Sequence, residues 1–532
     1  MLQSFEKYPL YVEGGVLYKK ENSSKDEFLA VVSYYEDMGF AKKHQNSFGG
    51  AYFCTLINGE KTVNVTYKGK SATLRITEEN GTNLPICESS APVCDTLITQ
   101  VKTTFWNVDC GMSYIIRLGD GTFCVIDGGM AEEDEKEHFY EVLNDQKVTK
   151  GVPTIKAWFL THPHCDHHNL FLEVAPQNGK NIKIENLILN WPHTDYSDSQ
   201  SANFIEVEPA AKSAKISIIV ARTGYRFELC ESVFEIIQSP EDIMPRVPVN
   251  INDTSIVIMQ TVGDKNILYP GDSLQIAADK MIEEYESDCL KADILQVAHH
   301  GYWGGSDEFY RAVDPKILLW PVPEFAYYRM YNLDYNDYLK TSKNIKKIFP
   351  SNRCDTVINI NTGEIKNEEN NSLCADFSVG SMTRLGWDCV TGGSTGYKGA
   401  KAEFSENSLT ITTVFENKTL VTMMPMYRMQ GKDSYTFELD IDIKHAKKLG
   451  LICNYDEVHI YDESKVIDLC PESGKAKYVL CADEKGKKLT FAKNGQCIFE
   501  AEYIPDIRHG IYLVMQEAKV EITKAEVVKK GI

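Results

Sequence analysis

Apolar residues fall into three differently patterned blocks along the 532-residue chain. In the first, about 1–88, "KDEFLAVVSYYEDMGF" carries apolar positions at helical spacing and stops at Gly39. "AYFCTLINGEKTVNVTY" alternates on both sides of Asn58-Gly59, a dipeptide suited to a tight hairpin turn, and "ATLRITEENG" adds a third strand. This block is a small α+β domain. The proline- and serine-bearing "NLPICESSAPVCD" marks its end.

The second block, about 95–368, opens with two apolar strands around Gly119-Asp120-Gly121 in "SYIIRLGDGTFCVIDGG". Strand-like runs then alternate with helical stretches: "IKAWFLTH", "IENLILNW", "SIVIMQTV", "NILYPGD", "DILQVAHH" and "KILLWPV". Such alternation predicts an α/β architecture in which helices cover sheets, an α/β or αββα layering. The polar "KNEENNSL" is a linker. Beyond it, over 375–532, the pattern is almost purely β, from "SLTITTVF" to "KVEITKAEV", with a hairpin at Asn494-Gly495. Many short strands with regular turns predict a β-sandwich. No internal repeat is visible.

Composition narrows the function. A length of 532 residues exceeds what one core supports, so several domains are expected. No apolar run reaches the roughly 20 residues that span a bilayer, and the N-terminus lacks a basic start and an apolar segment, so neither a membrane span nor a signal peptide is expected. The net charge of −20 argues against general binding to nucleic acid or anionic membrane. The 15 cysteines are scattered without a C-x-x-C pair, which argues against a disulfide framework or zinc ribbon and for a reducing, cytoplasmic location.

Histidine carries the chemistry. Of 12 in the chain, His162, His164, His167, His168, His193, His299 and His300 crowd into the middle block. His162 and His164, at i and i+2 just past a strand, can point both imidazoles at one ion, and Asp166 and His167 can serve a second. Neutral imidazole and carboxylate suit zinc, and also iron or manganese. Two ions about 3.5–4 Å apart would clamp a bridging water and lower its pKa toward about 7.

The run H-x-H-x-D-H after an apolar strand resembles the signature of the metallo-β-lactamase superfamily. Asp127 in "FCVIDGG" resembles that family's first motif, an aspartate that orients the ligand loop. Asp272 in "ILYPGDS" resembles the carboxylate bridging both metals, and His299 and His300 in "ADILQVAHHG" resemble its last histidine motif. The resemblance is nearest to the hydrolase domain of DNA-uptake competence proteins and to phosphorylcholine esterases. It implies an αββα sandwich, two zinc ions, and attack by a metal-bound hydroxide on a phosphodiester or phosphate-bearing small molecule. An amide, lactam or thioester hydrolase at the same site is the alternative.

On that resemblance the metal ligands are His162, His164, Asp166, His167, His193, Asp272 and His299 or His300. Only one of the last pair binds directly, while its neighbour orients it or acts as an acid. Asp127, Asp166 and His300 are the expected catalytic positions. His193 stands as ligand, substrate contact or plain loop residue.

Several positions depart from the family pattern. His168-Asn169-Leu170 replace an apolar residue and two glycines, and Lys340 in "NDYLKT" stands where relatives carry a histidine. The aromatic segment 320–338 reads either as a wall over the metals or as filling between domains. The C-terminal block resembles a concanavalin-like jelly roll, which brings a glycan into view as a partner. The two flanking blocks otherwise frame the site or support a homo-oligomer.

Overall fold

The computed structural model describes residues 2–10, 15–102, 105–106, 109–131, 135–192, 198, 201, 203–244, 250–322, 334–351, 354–367, 372–375, 377–379, 388–391, 394–395, 400–414, 419–424, 434–453, 466–469, 472–483, 485–502 and 511–529. The chain forms two compact units, one of residues 1–103, 110–322 and 330–367, the other of 104–109, 323–329 and 368–532.

The first unit begins with a six-stranded antiparallel sheet in which Thr73–Asn80, Lys61–Lys68, Ala51–Ile57 and Ala41–Phe48 follow one another. The helix Lys25–Asp37 starts at a capping box between Ser24 and Glu27. It buries Phe28, Val31, Val32 and Tyr35 against Leu56, Val63, Val65, Leu74 and Ile76. The turn at Asn58-Gly59 joins Ala51–Ile57 to Lys61–Lys68, and the Asn58 side chain accepts from the Lys61 backbone N–H. Three strands of this sheet, Glu6–Pro9, Val16–Lys20 and Ala41–Phe48, have short or mostly exposed stretches that mute their pattern.

Two further sheets stack on a shared core. In one, Phe123–Ile126, Thr154–Phe159, Asn186–Leu189 and Ser217–Val220 run parallel. In the other, Lys265–Tyr269, Ile294–Gln296, Ile317–Trp320 and Lys347–Pro350 run parallel. Ile116, Ile126, Phe159 and Ile188 of the first meet Phe234, Ile258, Ile267 and Leu319 of the second. The helices Glu135–Gln146, Cys165–Val174 and Val207–Ser213 cover the outer face of the first sheet, burying Phe139, Leu143, Phe171, Val174 and Val207. With Gln275–Glu284 and Asp307–Val313 following strands of the second sheet, the layering is αββα. Strands buried on both faces read as continuous apolar runs, which is why they stand out in the sequence. The segment that marks the end of the first block also contributes a strand: Cys87–Glu88 pairs parallel with Glu228-Leu229.

A buried ionic network ties the N-terminal sheet to these layers. Arg75 bonds Asp242 and Glu284. Arg222 reaches Glu79 at 2.8 Å and Glu241 at 3.3 Å, and Lys68 lies 3.4 Å from Glu284. Buried charges on the strands Lys61–Lys68 and Thr73–Asn80 are thereby paired with opposite charges.

The second unit is a β-sandwich. Its long strands Tyr435–Cys453 and Ile511–Lys529 pair antiparallel, with register shifts at Asp440/Ile441 and Ile443/His445. Bulges of this kind bend a sheet, and this one closes over a single core that includes Leu439, Leu451, Tyr478, Phe491, Leu513 and Val520. Asn494-Gly495 turns the hairpin between Lys488–Lys493 and Gln496–Glu502. Among the described residues of this unit, the large hydrophobic side chains left exposed are Val414 and Ile498 rather than aromatic rings. No helix among the described residues is long and apolar enough to cross a membrane.

Candidate metal centre

The parallel strands of both sheets deliver the polar residues from their C-terminal ends, where α/β folds collect their chemistry. Phe123–Ile126 ends at Asp127, Thr154–Phe159 leads to Thr161 and His162, Lys265–Tyr269 leads to Asp272, and Ile294–Gln296 leads to His299 and His300. The helix Cys165–Val174 starts at His164, so Asp166 and His167 sit in its first turn.

Asp127 is fully buried and holds a left-handed φ of +56°. Its carboxylate accepts from the Thr161 N–H at 2.8 Å, the Thr161 hydroxyl at 2.9 Å and His167 Nδ1 at 2.9 Å. His162 Nδ1 lies 3.1 Å from the same hydroxyl. With each Nδ1 engaged, both rings present Nε2 to the interior.

Asp272 is the hub. Its Oδ2 lies 3.2 Å from His167 Nε2, 3.5 Å from His300 Nε2, 3.8 Å from His162 Nε2 and 4.0 Å from His299 Nε2. Asp166 Oδ2 stands 3.2 Å from His300 Nε2 and 3.5 Å from His167 Nε2. Two groups of donor atoms result, each within 4.8 Å: Asp166, His167, Asp272 and His300, and His162, His164 and Asp272. Among the described residues, His162 Nε2, His167 Nε2, His300 Nε2 and Asp272 Oδ1 are buried without a hydrogen-bond partner. Buried polar atoms are rarely left so, and the donor types are those of a divalent-cation site.

The electrostatics agree. Burial opposes charge on Asp166 and Asp272, but the imidazoles around them outweigh it and hold both carboxyls well below the usual range. Burial likewise opposes charge on His167, yet Asp272, Asp166 and Asp127 push it well above the ordinary histidine value. His300 is driven up to about 10, chiefly by Asp272 and Asp166 against burial. His162 is pushed well below by burial and by its histidine neighbours. Carboxylates and imidazoliums thus offset one another, and a bound cation would take the place of the imidazolium protons.

Of the adjacent pair, His300 enters the cluster. Its Nδ1 donates to the Pro321 carbonyl at 2.6 Å, which leaves Nε2 for the interior. His299 falls outside both donor groups: its Nε2 faces Asn252 Nδ2 at 3.2 Å and its Nδ1 meets the Tyr302 carbonyl. His193 lies outside the described residues, as do Phe325, Tyr327, Tyr328, Arg329 and Tyr331 of the aromatic segment. Trp320 is buried and His168, also buried, packs its ring against Trp191 with centroids 5.6 Å apart. Lys340 pairs with Asp337 at 2.5 Å.

Sequence reasoning misses the supporting shell. Asp198 bonds His164 Nε2 at 3.1 Å, Asn252 meets His299, and the Ser255 hydroxyl accepts from the Asp272 N–H at 3.1 Å. Gln296 clasps Gly271 through both its N–H and C=O at 2.9 Å. Thr161 had a signal, its place directly before His162. Asn252 had none, because only the fold brings it to His299.

Residues 107–320 match the family model described as the metallo-beta-lactamase superfamily. A curated relative, ComE operon protein 3 of Bacillus subtilis (strain 168), is 25% identical over 190 residues, 35% of this chain and 23% of that protein. The chain thus spans less than a quarter of that relative. Among solved structures, the diiron beta-hydroxylase CmlA from Streptomyces venezuelae is 11% identical with a TM-score of 0.29, covering 51% of this chain and 55% of that one. A Bacillus subtilis protein of unknown function with a galectin-like fold is 13% identical with a TM-score of 0.23, covering 30% of this chain and 94% of that one.

Proposed function

We propose, on the match of residues 107–320 to the metallo-beta-lactamase superfamily model, that the protein is a dinuclear metal-dependent hydrolase of a phosphodiester or phosphate-bearing small molecule. The observation that carries the reading is the pair of donor groups sharing Asp272. His162, His164 and Asp272 would hold one cation; Asp166, His167, Asp272 and His300 would hold the other. Zinc is the metal we assign, on the imidazole-rich donor set. Divalent cations held there would supply Lewis acidity for a displacement at phosphorus and would lower the pKa of water toward about 7. Phosphodiesters fit that chemistry.

The chain's own residues set the geometry. Asp127 accepts a hydrogen bond from the Nδ1–H of His167 and fixes its ring, while the Pro321 carbonyl does the same for His300. Acceptors behind metal-binding imidazoles fix the tautomer and strengthen the donor. His299 closes the edge of the site, held by Asn252 and Tyr302. The free thiols among the described cysteines support residence in a reducing cytoplasm.

Metal analysis of the purified protein, with hydrolysis of bis(p-nitrophenyl) phosphate in parallel, tests this. The expected result is about two zinc ions per chain and diesterase activity, both lost in Asp272→Asn. One ion or fewer after zinc loading would overturn the dinuclear reading. A loaded protein that cleaves thioesters or lactams but no phosphodiester would overturn the substrate class.

A further inference from the structure

Beside the metal centre, the chain exposes an aromatic ring at structural expense. Trp303, in "HHGYWGG", is 66% exposed, whereas the other exposed large hydrophobics of the described residues are aliphatic or methionine. Its φ is +54°, following His299 at +48° and His300 at +53°. Left-handed backbone at three non-glycine residues within five positions is costly, and it persists only where the surroundings enforce it.

The enforcement is visible. Gly304 packs so closely that a Cβ there would lie 2.1 Å from the Ala298 carbonyl oxygen, and Gly301 lies flat on the Trp320 indole. The Gly305 N–H donates to the Ser273 carbonyl at 2.8 Å, and Leu274 bridges Gly304. Trp303 therefore rides on the turn that carries His299 and His300, stapled to the loop that carries Asp272. Its backbone is held by that turn.

Its neighbours are rings. The Tyr302 centroid lies 6.2 Å from His299 and 6.5 Å from Trp303, and the Tyr335 centroid lies 6.3 Å from Trp303. Both neighbours are tilted, at 45° and 38°, so neither stacks parallel on the indole. Exposed tryptophan fixed beside a polar, metal-suited centre has the properties of a stacking platform: large area, a flat face, little conformational entropy to lose.

We propose that Trp303, flanked by Tyr302 and Tyr335, is a specificity-determining residue that stacks on a planar aromatic or heteroaromatic ring of the substrate. This rests on the hydrolase reading and narrows it: the substrate is a phosphate ester whose organic part carries a flat ring close to phosphorus. Aliphatic esters would reach the metals without using the platform.

The test is equilibrium binding of phenylphosphonate, cyclohexylphosphonate, methylphosphonate and phosphorylcholine to the zinc-loaded full chain, as wild type, W303A, W303F and W303L. Wild type should bind phenylphosphonate most tightly, and W303A and W303L should weaken it about tenfold while methylphosphonate shifts by less than about twofold. W303F should retain most of the preference, and melting temperatures should match wild type because the side chain is exposed. Equal binding of the phenyl and cyclohexyl ligands would overturn ring stacking. So would a phenyl preference untouched by W303A, or phosphorylcholine being the one ligand weakened, which would indicate a cation on the indole. The two readings fail separately. Trp303-dependent ring preference without cleavage of bis(p-nitrophenyl) phosphate would sink the hydrolase reading alone, and cleavage without that preference would sink this inference alone. Absence of phosphonate binding would sink both.

Discussion

Trp320 and His300 are locked together: the indole Nε1–H donates to the His300 carbonyl at 2.8 Å, and the next residue's carbonyl, Pro321, accepts from His300 Nδ1 at 2.6 Å. One strand end thus holds both the backbone and the ring of a residue whose φ is +53°. Trp320→Phe keeps an aromatic ring but orphans a buried carbonyl, a loss of about 1–3 kcal/mol. Because His300 would also lose its fixed backbone, zinc affinity should fall about tenfold. Thermal unfolding and a competition titration against a fluorescent chelator check the two effects. Unchanged affinity would mean that Pro321 alone orients the ring.

Asp127 touches no proposed cation, yet it accepts from His167 and from both the N–H and hydroxyl of Thr161. Asp127→Asn preserves shape and one acceptor, but an amide cannot satisfy all three donors. His167 would lose its fixed tautomer, and we expect metal affinity to drop roughly 10–100-fold with the fold intact. Equilibrium dialysis against zinc, with circular dichroism as the control on folding, reads the outcome. Retained affinity would show that the helix start at His164 positions His167 without help.

The buried network behind the N-terminal sheet predicts a stability effect remote from the metals. Arg75 is about 3% exposed in its side chain and answers both Asp242 and Glu284. Arg75→Met would leave Asp242 without this cation and Glu284 with only Lys68 at 3.4 Å and Lys280 at 3.5 Å. Breaking a buried pair from one side costs about 3–5 kcal/mol. Chemical denaturation of the full chain should show that loss, and a loss under about 1 kcal/mol would mean that water enters and screens the pair.

How much of this was legible in the sequence follows from where each contact originates. His162, His164, Asp166 and His167 share one strand end and one helix turn, so local spacing announces them. Asp127, Asp272 and His300 are visible because each follows a continuous apolar run that the double-sided burial of a parallel strand requires. The network of Arg75, Arg222, Glu79 and Glu284 was not legible, since ordinary charged residues on strands look solvent-facing until the fold buries them. Asn252 and Ser255 were hidden for the same reason. Trp303 was quoted by no pattern, because its meaning lies in exposure and backbone strain rather than in spacing.

A last prediction concerns pH. His138 Nε2 lies 2.9 Å from Asp355 Oδ1, and that hydrogen bond raises the histidine's pKa above its ordinary value against the opposing effect of burial. A folded-state pKa above the unfolded value of about 6.5 means that the charged pair stabilises the fold fully below about pH 6.5. The contribution fades as pH climbs through the raised value. Asp355→Asn keeps the acceptor for the Lys102 N–H, which lies 2.7 Å from the same oxygen, and removes only the charge. Wild type should therefore exceed this variant in stability by more near pH 5.5 than near pH 8.5, the gap closing as His138 deprotonates. Denaturant titrations of both proteins at the two pH values decide it, and a gap that widens with pH would show that His138 is neutral in the fold.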